Sequence, residues 1–198
     1  MMFIIGLDLG QAQDYTAIVV VEKKEYMYEP KPAEYHVRHI ERPPLGTPYP
    51  DIVERVKTIF TSPQLKGKTT LVVDKTGVGS LVVDMLKRAG LNPLVAITIT
   101  GGNTVNKDDD GYHVPKRDLV TNLQVLFQEG RIKVAKELKL SSILVEELLN
   151  FKVKIDIKTA HDSYEAWREG AHDDLVLATA LACWYAEFRH PIPRIRRL

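Results

Sequence analysis

The run Phe3-Ile4-Ile5-Gly6-Leu7-Asp8-Leu9-Gly10 reads as a buried strand with a carboxylate near its end. That combination constrains everything that follows. An ionised carboxylate withdrawn from water is costly unless it is paired, protonated or bound to a metal. No Lys or Arg lies close to Asp8 in sequence. Any fold for this chain must therefore bring something to the end of its first strand.

The first third reads as strands: Phe3–Leu9, the β-branched run Tyr15–Glu22, and Tyr35–Ile40. The short turn between the first two predicts an antiparallel hairpin, which the third strand extends. Pro43, Pro44, Pro48 and Pro50 form a loop before a helix over about Asp51–Phe60, where Ile52, Val53, Val56, Ile59 and Phe60 keep helical spacing. Strand and helix then alternate. The spacing predicts a strand at Thr69–Asp74, a helix at Ser80–Ala89 stopped by Gly90, and a strand at Leu94–Thr100. Gly101–His113 reads as a loop, and Pro115 opens a helix over Lys116–Glu129. A helix at Ser142–Asn150 leads into Phe151–Lys158, which alternates apolar residues with Lys152, Lys154 and Lys158. That pattern predicts a half-buried strand with a lysine face, followed by a return strand at Tyr164–Arg168. The last helix covers about Asp173–Phe188, and His190–Leu198 is a basic tail.

A chain of 198 residues suits one well-buried domain, expected over residues 1–189 with the tail at 190–198. Lys and Arg number 27 against 26 Asp and Glu, so net charge does not identify a polyanionic partner, although a local basic face is compatible with it. Cys183 is the single cysteine, which excludes a disulfide within the monomer. No apolar run is long enough to span a bilayer, and no signal peptide is visible, so an intracellular protein is expected.

Three acidic sites stand at the ends of core elements: Asp8, Asp74 at the end of Leu71-Val72-Val73-Asp74, and Asp173-Asp174 at the start of the last helix. A hairpin followed by strand, helix and strand places the Asp8 and Asp74 strands side by side. A helix packed on that sheet can bring Asp173 or Asp174 to the same end. Clustered carboxylates raise one another's pKa values unless cations bind between them. Hard ions such as Mg²⁺ or Mn²⁺ take oxygen ligands, and no Cys/His cluster suggests zinc. Two such ions about 4 Å apart activate a water and stabilise the leaving oxygen in phosphodiester cleavage. Each acid also has a plain structural use. Asp8 could bond the amides of Gly10 or Gln11, Asp74 could cap the helix after it, and Asp173 or Asp174 could cap the last helix. The combination favours metal.

Ile5-Gly6-Leu7-Asp8-Leu9-Gly10 with Asp14-Tyr15-Thr16-Ala17-Ile18 resembles the first catalytic strand and turn of the nuclease domain in large terminase subunits of tailed bacteriophages. Val72-Val73-Asp74-Lys75-Thr76-Gly77-Val78-Gly79 is similar to that family's second motif, and Gly170-Ala171-His172-Asp173-Asp174-Leu175-Val176-Leu177-Ala178 to its third. Lys116-Arg117-Asp118-Leu119 resembles a recurrent helix of the domain. The resemblance implies an α/β, ribonuclease H-like fold: a mixed central sheet flanked by helices, with an extra β-hairpin near the active site. It implies a metal-dependent endonuclease that cuts concatemeric viral DNA during packaging, with Mg²⁺ or Mn²⁺ as cofactor. Asp8, Asp74 and Asp174 would be metal ligands, with Asp173 as an additional ligand or a partner to one. Lys152, Lys154 and Lys158, together with Lys116 and Arg117, would hold DNA, although an ordinary solvated strand face explains the first three equally well.

The implied partners are double-stranded DNA, the terminase ATPase domain, the small terminase subunit and the portal, in the host cytoplasm and away from any membrane. The chain has no GxxxxGK[ST] loop, and Met1 lies directly before the first core strand. A nuclease domain separate from its motor is therefore expected, without ATP hydrolysis. Two other readings use the same residues: a ribonuclease H-like enzyme such as a junction resolvase, or a non-catalytic DNA- or portal-docking domain. The opening motif is also similar to actin-like kinases, but the chain is too short for their two-lobed cleft. Among the histidines only His172 adjoins the acidic site.

Overall fold

The computed structural model describes residues 2–10, 14–77, 79–157 and 173–189, with side chains throughout except at 79, 150–157 and 189. The β-branched and aliphatic runs of the first third form β1 (Met2–Asp8), β2 (Ala17–Lys24) and β3 (Glu34–Glu41), paired antiparallel in sequence order. After α1 (Tyr49–Phe60), β4 (Thr69–Asp74) returns to the other side of β1 and runs parallel to it, with Leu7 opposite Val73. The chain continues through α2 (Gly79–Arg88), β5 (Leu94–Thr100), β6 (Asn106–Asp108), β7 (Gly111–Pro115) and α3 (Lys116–Gln128). It ends with β8 (Ile132–Val134), α4 (Ser141–Ile157) and α5 (Asp174–Arg189). The result is one mixed sheet in the order β6-β7-β5-β4-β1-β2-β3-β8.

Alternation along the central strands assigns each face. Phe3, Ile5 and Leu7 of β1 join Leu71 and Val73 of β4 against Ile52 and Val56 of α1 and Val82 and Leu86 of α2. Ile4 and Val72 point the other way, into a core shared with Leu119 and Leu123 of α3, Leu144 of α4 and Leu181 of α5. Each fully buried Leu or Ile in these layers contributes about 1.5–3 kcal/mol relative to exposure. Asp8 and Asp74 have the parity of Ile4 and Val72, so both fall on the α5 side of the sheet.

Helix α5 lies against that side at unusually short range. A Cβ built on Gly6 would stand 1.9 Å from the carbonyl oxygen of Ala178 and 3.3 Å from the Ala182 Cβ. Glycine in the strand and alanine in the helix permit this approach. Leu175, Val176, Ala180, Leu181, Cys183 and Ala186 are buried around the helix, which has little open surface until Phe188. At its far end the buried Lys23 ammonium donates to the Ala186 carbonyl at 3.1 Å, satisfying a group that the helix leaves open. No helix among the described residues is long and apolar enough to cross a membrane.

The structure departs from the sequence expectations in three places. Gly101–His113 is not wholly a loop: β6 and β7 form a hairpin around Asp109-Asp110, and β7 extends the sheet beyond β5. Tyr112 and Val114 are its buried anchors, and Gly111 at φ 136° lies so close to β5 that a Cβ would meet the Ala96 carbonyl at 2.2 Å. The short β8, parallel to β3, was not anticipated; three residues are too few to show a period. Phe151–Ile157 is not a strand but the continuation of α4. A formed helix adds a hydrogen bond for each further residue it fixes, whereas a strand needs a neighbour from elsewhere, and a short apolar run does not distinguish the two. The lysine face predicted for Lys152 and Lys154 therefore does not form as a strand face. Lys158 and the expected return strand Tyr164–Arg168 lie outside the described residues, as does the tail at 190–198.

Replacing Gly6 with Ala tests the close packing of α5 on β1. Overpacking of this kind costs about 1–3 kcal/mol, and the neighbour here is backbone that cannot rotate away. A clear drop in the denaturation midpoint is expected for Gly6→Ala, whereas Gly67→Asn, at an open turn with φ 75°, should leave the midpoint nearly unchanged.

Candidate active site

Strands β1, β3, β4, β5, β7 and β8 run in one direction, and β2 and β6 run against them. One edge of the sheet thus collects the carboxyl ends of β1, β3, β4, β5 and β7, the place where open α/β sheets hold their ligands. Asp8 ends β1, Asp74 ends β4 on the neighbouring strand, Arg42 follows β3, and Lys116 follows β7.

The third acidic site arrives through α5. Ala178 sits on Gly6, and Asp174 lies four residues earlier, about 6 Å back along the helix. Asp8 lies two residues beyond Gly6, about 6–7 Å along the strand. Since β1 proceeds toward the end where α5 begins, the two displacements match and carry Asp174 to Asp8. The electrostatics agree with this placement. Burial pushes the Asp8 carboxyl well above the usual aspartate range, and Asp74, Asp174, Asp173 and Asp14, in that order, push it further. Asp8 still keeps part of its surface open, while Asp74 and Asp174 are buried.

The plain structural roles are realised unevenly. The Gly10 amide donates to Thr16 Oγ1 at 3.1 Å, so that amide is not occupied by Asp8; Gln11 lies outside the described residues. Asp74 does serve its turn, since Oδ1 accepts the Thr76 amide at 2.7 Å. Asp173 precedes α5 and its carbonyl accepts the Leu177 amide at 2.9 Å, the pattern of a helix cap. The Thr76 bond holds the Asp74 carboxylate in place without removing the charge that surrounds Asp8.

Asp174 has a partner that sequence reasoning missed. Arg42 Nε donates to Asp174 Oδ2 at 2.6 Å, and the other arm of the guanidinium donates to Glu147 Oε1. The second Glu147 oxygen accepts the Val176 amide at 3.3 Å in the first turn of α5. The guanidinium also lies over the Tyr15 ring, 5.3 Å from its centre. All three charged side chains are largely buried, at 13% exposure for Arg42 and 8% for each acid. Burial pushes Glu147 up to about 7, with Asp174 adding to the shift and Arg42 opposing it. Burial disfavours the Arg42 cation, but Asp174 and Glu147 outweigh that and hold its pKa above the usual value. Two signals pointed here: Arg42 follows the inward-facing Ile40 by two residues, and Glu147 falls between Leu144 and Leu148 on the apolar face of α4.

Among the described residues no three His, Cys, Asp or Glu side chains already stand close enough to cage a metal ion. Asp74 is turned toward Thr76 and Asp174 toward Arg42, so the convergence on Asp8 is one of charge. The donor set nevertheless fits a hard cation, being carboxylate oxygen throughout, and the repulsion on Asp8 is what bound positive charge would relieve. Lys116 and the exposed Arg117 begin α3 at the same sheet edge, three strands from Asp8, or about 14 Å. Arg117 there donates to the Asn103 carbonyl at 3.0 Å. The side chains of Lys152 and Lys154, like Lys158 and His172, lie outside the described set.

Comparison with known proteins agrees with this architecture. A family model described as the terminase RNaseH-like domain matches residues 5–185. No curated protein matches the chain significantly. Among solved structures, the large terminase nuclease from thermophilic phage G20c superposes with a TM-score of 0.58 at 22% identity, over 91% of this chain and 80% of that one. The human cytomegalovirus terminase nuclease domain, Mn soaked, gives 0.52 at 16% identity over 96% and 85%. The nuclease domain of the bacteriophage SPP1 large terminase, with bound Mn, gives 0.52 at 13% identity over 92% and 85%. At these identities the likeness establishes a shared fold, the ribonuclease H-like α/β sheet flanked by helices.

The charge on Asp8 has a measurable consequence for the metal-free protein. A carboxylate whose pKa is higher folded than unfolded opposes folding once pH passes the unfolded value near 3.8, and the loss grows until pH reaches the folded pKa. In EDTA at pH 7, Asp8→Asn should raise Tm by a few degrees, at about 2–4 °C per kcal/mol for a chain of this size. The two proteins should converge below pH 4. A lower Tm for the variant at pH 7 would contradict the repulsion and point to a structural hydrogen bond.

Proposed function

Because this chain belongs to the family of terminase RNaseH-like domains, we propose that it is a metal-dependent endonuclease that cuts double-stranded DNA as viral genome packaging starts and ends. The observation that carries the proposal is the meeting of Asp8, Asp74 and the start of α5 at the carboxyl edge of the sheet. There the acids raise the Asp8 pKa instead of being dispersed to solvent.

Asp8, Asp74 and Asp174 are the proposed ligands of Mg²⁺ or Mn²⁺, two ions in all, with Asp173 as an additional ligand or a partner to one. When bound, such cations supply Lewis acidity for an attacking water and for the leaving phosphate oxygen. The chain's own part is to hold acceptors at fixed places. Asp8 and Asp74 are set by adjacent parallel strands, and Asp174 by the packing of α5 on Gly6. Mn in the solved cytomegalovirus and SPP1 nuclease domains supports the choice of metal.

Lys116 and Arg117 sit on the same edge as the acids and are proposed to contact the phosphate backbone, as are Lys152, Lys154 and Lys158. The wider partners proposed are the terminase ATPase domain, the small terminase subunit and the portal, in the host cytoplasm.

Two experiments test this reading. Plasmid DNA should be nicked and linearised with Mn²⁺ or Mg²⁺, and Asp8→Asn or Asp74→Asn should abolish the reaction; cutting that survives exhaustive chelation would sink the metal mechanism. For the DNA contacts, the slope of log affinity against log salt should shrink by roughly 0.9 for each phosphate contact removed. Replacing Lys116 and Arg117 with Ala, and separately Lys152, Lys154 and Lys158, assigns each group; an unchanged slope removes that group from the interface.

A further inference from the structure

We propose that Arg42 is a positioning residue for the acid site: its guanidinium fixes the rotation of the Asp174 carboxylate, and Glu147 holds Arg42 and the first turn of α5 in register. The inference rests on the proposed metal-dependent cleavage and concerns residues outside the predicted ligand set.

The geometry requires three separate elements to agree. Arg42 comes from the end of β3, Glu147 from the middle of α4, and Asp174 from the start of α5. One arm of the planar fork meets Asp174 Oδ2 at 2.6 Å and the other meets Glu147. Glu147 closes the circuit by accepting the Val176 amide, two residues beyond Asp174. The Tyr15 ring stands beside the guanidinium from the turn before β2.

The consequence of this circuit is orientation more than stability. A buried ion pair contributes little net stability compared with a well-packed apolar substitute. A carboxylate with one oxygen fixed by a rigid donor, however, can no longer swing about its Cβ–Cγ bond. Partners that orient a metal ligand in this way commonly alter metal affinity 10–100-fold when removed, by order of magnitude. Only arginine places two donors at the separation required, so lysine can serve Asp174 or Glu147 but not both in the same geometry.

The pairing also manages charge. Without Arg42, Asp174 and Glu147 would be two buried carboxylates facing each other, and Asp174 would rotate away from its neighbour. Because the guanidinium sits between them, Asp174 can remain beside Asp8 while Glu147 faces α5.

The test is Mn²⁺ binding to the DNA-free protein by titration calorimetry, alongside melting in EDTA and plasmid cleavage across Mn²⁺ concentrations. Arg42→Ala should weaken Mn²⁺ binding by about 10–100-fold, with cleavage recovering as Mn²⁺ is raised. Arg42→Lys should show a smaller loss. If Arg42→Ala does not fold, the double variant Arg42→Ala/Glu147→Gln removes both the unbalanced carboxylate pair and the Arg42 donor to Asp174, and its Mn²⁺ binding should still be weak. A folded variant that binds Mn²⁺ as tightly as the parent, or more tightly, overturns the proposal, even if its Tm is lower. Failure of the nuclease reading looks different: the parent protein itself would neither take up Mn²⁺ nor cut DNA.

Discussion

Contact between α5 and β1 at Gly6 is the constraint on which the site depends. Strand geometry alone brings Asp8 and Asp74 together, since they end adjacent parallel strands on the same face. It does nothing for a residue encoded a hundred positions later. The third acid reaches them because a glycine and two alanines let a helix lie against the sheet at backbone distance. One helical turn and two strand residues cover nearly the same length, so the start of α5 and the end of β1 fall at the same edge of the sheet. A side chain at position 6 would displace the helix and, with it, one corner of the acid cluster.

Bringing like charges together works against folding, and the structure shows how this fold limits the cost. Asp74 spends one oxygen on the Thr76 amide, and Asp174 is matched by Arg42. Burial is the larger reason the Asp8 carboxyl is shifted so far upward, and the repulsion left by its neighbours adds to it. The hydrogen bonds to Thr76 and Arg42 therefore also fix the directions of the Asp74 and Asp174 carboxylates.

The sequence made the central strands legible because each is a long β-branched or aliphatic run ended by a polar residue, and it made the acids legible because they interrupt apolar segments. What it concealed depends on partners far away in the chain. Arg42 and Glu147 are separated by 105 positions and Arg42 and Asp174 by 132, so no local pattern announces their meeting. Position on an inward face was the available clue for both. The β6–β7 hairpin was hidden by Asp108-Asp109-Asp110, a polar run that suits a turn but conceals Tyr112 and Val114 beyond it. In Phe151–Ile157 the period-two pattern was real, yet an adjoining helix prevailed over it. The family resemblance, carried by motifs around Asp8, Asp74 and Asp173-Asp174, agrees with the family match over residues 5–185.

The central claim is that the acids at the carboxyl edge of the sheet form one cation site. Locating Mn²⁺ by its anomalous scattering in crystals of the parent protein addresses this most directly. The account predicts anomalous peaks bounded by Asp8, Asp74 and Asp174, all of which disappear in Asp8→Asn crystals. Peaks confined to other surface carboxylates, or none at saturating Mn²⁺ with the three acids still dispersed onto their protein partners, would contradict it.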